Sequence, residues 1–120
     1  MGEEDIKRII NDKLIADGFV TEVAWGHQHG VDIFAKREDR QLMIEVKGPG
    51  SRPPMRVNYF LSILGEILQR MDTEDAEYYI ALPDMEVYRN LWKRLPDLAK
   101  QRTRIQLMLV AEDGSITIIS

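Results

Sequence analysis

The chain has 120 residues, 44% of them apolar and 30% charged, with a formal charge of −4 and no cysteine. That length and balance suit one globular domain able to bury about two-thirds of its unfolded surface, and they exclude a disulfide framework or a thiolate zinc site. The acidic balance argues against nonspecific coating of nucleic acid, no apolar run approaches the roughly 20 residues that span a bilayer, and the acidic, amphipathic start is unlike a signal peptide, so a cytoplasmic location with no membrane partner is expected.

Ile6, Ile9, Ile10 and Leu14 recur at helical spacing over residues 3–17, and Gly18 supplies a left-handed stop. Residues 19–25 are rich in β-formers and lead into the Gly-bounded turn "GHQHG". Residues 31–36 and 41–47 flank the charged turn Arg37-Glu38-Asp39-Arg40 and predict a hairpin. "GPGSRPP" then breaks regular structure, and helical spacing resumes over 57–71 with Phe60, Ile63, Leu64, Ile67, Leu68 and Met71. Residues 77–82 read as a central strand stopped by Pro83. A helix is expected from an Asp84 N-cap through Tyr88, Leu91 and Trp92, until Pro96 ends or kinks it. Residues 105–111 and 115–119 surround an Asp-Gly turn and predict a second hairpin. The order α-β-β-β-α-β-α-β-β predicts an α/β fold, a mixed β-sheet flanked by helices, in a single domain spanning 1–120.

In the strand 41–47, Leu42, Ile44 and Val46 share one face, and Met43, Glu45 and Lys47 share the other. A turn symmetric about Glu38-Asp39 puts Asp32 directly opposite Glu45. Opposed like charges are destabilising and need a proton, a cation or an opposite charge between them. Two close carboxylates suit a hard divalent cation with oxygen ligands, Mg²⁺ above all. Lys47, on the same face, is placed to stabilise an anionic transition state or to help deprotonate a metal-bound water. A surface salt-bridge cluster of Asp32, Glu45 and Lys47 is the plainer reading of the same residues.

The stretch "GVDIFAKREDRQLMIEVKG" resembles the core motif of the PD-(D/E)xK nuclease superfamily, with Val31-Asp32 where the family name has Pro-Asp. The element order over residues 3–82 is similar to that superfamily's core, whereas the helix and hairpin of 84–120 lie outside it. The resemblance implies a restriction-endonuclease-like fold. It also implies Mg²⁺, with Mn²⁺ able to substitute, held by Asp32 and Glu45 with the Val46 carbonyl as third ligand, and Lys47 as the catalytic lysine. Many members add a glutamate from the first helix, and here Glu3 shares the side of Ile6, Ile10 and Leu14 while Glu4 falls off it. Some members also use a glutamine on the helix after the Glu-x-Lys strand, for which Gln69 is the candidate, although it stands nearly opposite that helix's apolar stripe.

The loop "KGPGSRPPMR" carries Lys47, Arg52 and Arg56 and no acid, which suits contact with a phosphate backbone. His27 and His29, at i and i+2, could assist a metal or act as a general acid, or be ordinary surface residues. The expectation is a Mg²⁺-dependent DNA endonuclease that uses metal-activated water. Cutting both strands needs a homodimer or another chain, and the polar side of the helix at 57–71, with Asn58, Ser62, Gly65 and Gln69, is a possible contact surface. The competing readings are a catalytically inactive module of the same fold, serving nucleic-acid binding or assembly, and an enzyme of RNA or nucleotide metabolism.

Overall fold

The computed structural model describes residues 1–26 and 30–120, so His27 and His29 lie outside the described residues. In chain order the elements are α1 (Glu3–Ala16), β1 (Val20–Val23), β2 (Ile33–Arg37), β3 (Arg40–Val46), α2 (Pro53–Leu68), β4 (Glu77–Pro83), α3 (Glu86–Lys93), α4 (Asp97–Thr103), β5 (Ile105–Val110) and β6 (Ile116–Ile119). The strands form one mixed sheet in the order β1-β2-β3-β4-β5-β6. β3, β4 and β5 run parallel, and the remaining pairs are antiparallel. Parallel neighbours need a crossover. α2 supplies it between β3 and β4, and α3 with α4 between β4 and β5.

Period-two alternation sorts the strands' side chains onto two faces. Ile33, Ala35, Leu42, Ile44 and Val46 pack with Ile6, Ile10 and Leu14 of α1. Ile80, Leu82, Leu107 and Leu109 pack on the other face with Phe60, Ile63 and Ile67 of α2 and Tyr88 and Trp92 of α3. The expected α/β architecture is therefore present, a six-stranded mixed sheet between helical layers.

Several element ends differ from the sequence expectation by a few residues, with β2 starting after Asp32 and α2 ending at Leu68, and three of the differences have a clear local reason. α2 begins at Pro53, four residues earlier than predicted, because Pro53 and Pro54 take the first helical positions, where no N–H is needed. Met85, not Asp84, is the N-cap of α3. Asp84 instead receives the Arg89 guanidinium at 2.7 Å and 2.9 Å. Pro96 ends one helix and caps the next, so the predicted single helix becomes α3 and α4.

Candidate metal centre

The β2–β3 hairpin pairs Ile33 with Ile44 and Arg37 with Arg40 across the Glu38-Asp39 turn. One further step of that register brings Asp32, the residue before β2, beside Glu45. Asp32 is fixed there by its own hydrogen bond, since Oδ2 accepts the Val46 N–H at 2.8 Å. Val46 turns its side chain into the α1 core, which leaves Glu45 and Lys47 to project together from the opposite face.

A third acid comes from α2. One ligand oxygen each of Asp32, Glu45 and Glu66 lie within 4.8 Å of one another. Among the described residues no other group of three metal-ligating side chains is this close. Each carboxylate also has its own cation. The Lys7 ammonium stands 3.5 Å from Asp32 Oδ1, Arg70 Nε donates to Glu45 Oε1 at 2.8 Å, and Lys47 Nζ lies 3.0 Å from Glu66 Oε1. Arg70 also donates to the Gly30 carbonyl at 3.0 Å, which ties the end of α2 to the segment leading into Asp32.

Electrostatics at the site follow from burial. Glu45 is only 2% exposed. That burial, reinforced by the Asp32 carboxyl and opposed by Arg70, pushes its carboxyl up to about 7. Partial burial pulls the Lys47 ammonium down, but Glu66, then Glu3 and Asp32, outweigh it, so Lys47 is held above its ordinary value. The set is all oxygen, three carboxylates converging where one of them ionises reluctantly, and this chemistry fits a hard divalent cation. Asp32, Glu45 and Glu66 could hold such an ion.

The other expected site residues sit at varying distances from this group. Glu3 pairs with Lys7 at 3.3 Å and lies outside the trio of converging carboxylates. Its backbone abuts the loop after Lys47, where a Cβ on Gly48 would meet the Glu3 nitrogen at 3.2 Å. Arg52 is exposed at the N-cap of α2. Arg56 donates Nε to the Pro49 and Gly50 carbonyls at 3.3 Å and so braces the basic loop. Gln69 is exposed at the C-cap of α2, on the solvent side its helical position implied.

Sequence reasoning missed Lys7, Glu66 and Arg70. A signal existed for each. Glu66 and Arg70 are spaced i, i+4 on one flank of the Phe60-Ile63-Ile67 stripe, and Lys7 borders the Ile6-Ile10-Leu14 stripe. Spacing alone does not say that these flanks meet.

No family profile matches the chain, and no curated protein does. Solved structures share its fold, two of them as follows. An XisH family protein from Nostoc punctiforme PCC 73102 superposes with a TM-score of 0.66 at 19% identity, over 96% of this chain and 98% of that one. A fdxN element excision controlling factor protein from Anabaena variabilis superposes with a TM-score of 0.66 at 18% identity, over the same shares. The chain has the fold of these proteins over nearly its whole length.

Proposed function

We propose that the chain is a metal-dependent nuclease of the PD-(D/E)xK type that hydrolyses phosphodiester bonds in DNA. The observation that carries this reading is the convergence of Asp32, Glu45 and Glu66 beside Lys47. The three carboxylates, with the Val46 carbonyl, would hold Mg²⁺ or Mn²⁺. When bound, the ion supplies Lewis-acid polarisation of the phosphoryl group and a water of lowered pKa. Lys47, beside Glu66, would bring a positive charge to the phosphate oxygens. Arg52 at the mouth of the basic loop contacts the backbone without choosing a sequence. The likeness in fold to a protein described as an excision controlling factor is in keeping with work on DNA. A second copy of the chain would supply the second cut.

One observation favours a binding-only module instead. Every acid of the group already has a cation, as a structural network would. Incubation with supercoiled plasmid, branched and single-stranded DNA and RNA, in Mg²⁺, Mn²⁺ or EDTA, separates the two. A nuclease cuts at least one substrate only with metal, and Lys47→Ala lowers the rate about 10²-fold or more. DNA retention with no metal-dependent cut, or a Lys47→Ala chain that cuts like the parent, would overturn the catalytic reading.

A further inference from the structure

Lys7 is a fully buried ammonium, 1% exposed, on a helix whose other buried side chains are aliphatic. An ammonium in that position is several kcal/mol unfavourable unless oxygens replace its water. Four do. Nζ donates to the Ala24 carbonyl at 2.7 Å and stands 3.3 Å from Glu3 Oε2, 3.5 Å from Asp32 Oδ1 and 3.8 Å from Glu4 Oε1. Three carboxylates and a carbonyl around one positive charge resemble a cation's coordination shell more than a surface ion pair.

Asp32 belongs to this shell and also to the trio with Glu45 and Glu66. It therefore stands between two positions where positive charge collects. The position toward α2 has carboxylates that can turn to an ion. The position toward α1 is filled by a side chain anchored in the core. Glu4 is held in place besides by the Gly26 N–H, which donates to Oε1 at 2.9 Å.

We infer that the Lys7 ammonium permanently occupies the place of a second divalent cation. The site then takes one divalent ion per chain, and Glu3 serves Lys7 instead of the metal. A divalent ion brought to the α1 side would meet this ammonium within a few ångströms, where like charges repel. The inference rests on the metal reading above and deepens it, since it fixes the number of ions and removes one ligand.

Mn²⁺ titration of the full chain, read by the electron paramagnetic resonance of free Mn²⁺ and by calorimetry, tests it without any cleavage assay. The wild-type chain is expected to bind one Mn²⁺. Lys7→Met keeps the apolar stem and removes the charge, and is expected to bind a second Mn²⁺ that disappears again in the Lys7→Met/Glu3→Gln/Glu4→Gln chain. Lys7→Arg keeps the charge and should keep a single ion. Should Lys7→Met not fold, Glu3→Gln alone decides. Its Mn²⁺ affinity should match wild type, whereas loss of a true ligand would weaken it on the order of tenfold or more. Two ions on the wild-type chain, a folded Lys7→Met chain with one ion at unchanged affinity, or a tenfold loss in Glu3→Gln each overturn the inference. No ion at all on the wild type would instead overturn the metal reading on which it stands.

Discussion

Glu45 is where burial and charge conflict most, and its protonation gives the site a pH signature. In the unfolded chain a glutamate loses its proton near 4.5, while in the folded chain Glu45 holds it to about 7, through burial first and then the Asp32 carboxyl. Between those values the folded state binds more protons than the unfolded one, so the contribution of Glu45 to stability is fully present below 4.5 and is lost as pH rises through about 7. The acids whose carboxyls are held low, Asp5, Asp84, Glu77 and Asp113, act in the opposite sense but below that window. A divalent ion competes with the Glu45 proton, so the rise in unfolding midpoint on adding Mg²⁺ should be larger at pH 8 than at pH 5. Thermal unfolding at both values, with and without Mg²⁺, checks this. Glu45→Gln should remove the difference between them, and an equal Mg²⁺ effect at pH 5 and pH 8 in the parent would refute the assignment.

The loop after Lys47 owes its shape to an element far away in sequence. Tyr88 of α3, with no exposed surface, donates its hydroxyl toward the Gly48 and Pro49 carbonyls at 3.2 Å and 3.1 Å. Tyr88→Phe keeps the ring and removes this donor from both carbonyls, although Pro49 keeps Arg56 Nε, so it should destabilise the fold by about 1 kcal/mol in denaturant titration. A change of a few tenths would mean that the loop finds other donors. The elements themselves were readable because each is set by local rules. Alternation in residues 41–47 fixed which side chains enter the core, the short turn at Glu38-Asp39 fixed the register, and Gly18 marked the end of α1. The helix boundaries that shifted did so where proline and capping chemistry compete at neighbouring positions, as at Pro53 and Met85. Asp84 is a good capping residue by type, yet its carboxylate is claimed by Arg89.

At the scale of the molecule the site is assembled from α1, the segment before β2, β3 and α2. Asp32 and Glu45 could be brought together on paper because one tight turn joins their strands. Lys7, Glu66 and Arg70 could not, since only the packing of α1 and α2 on opposite sheet faces directs those flanks toward one strand end. The same packing gives α2 a second exposed flank. Its buried stripe is Phe60, Ile63 and Ile67, the flank with Glu66 and Arg70 faces the carboxylates, and the opposite flank leaves Leu61 61% and Leu68 49% exposed beside Val57. Of the polar side offered as a possible contact surface, Asn58, Ser62 and Gln69 are exposed next to it and Gly65 is half-buried. For the proposed nuclease, cutting both strands needs a second copy or another chain, and an apolar helix flank turned away from the site can pair with its twin without blocking DNA. Sedimentation velocity should therefore find the parent at twice its 13.9 kDa mass. Leu61→Glu with Leu68→Glu should return it to a monomer of nearly unchanged unfolding midpoint, because neither side chain is in the core. On supercoiled plasmid the dimer should yield linear product and the double variant should stop at the nicked circle. A parent that sediments as a monomer, or a monomeric variant that still linearises plasmid as fast, would rule out pairing through α2.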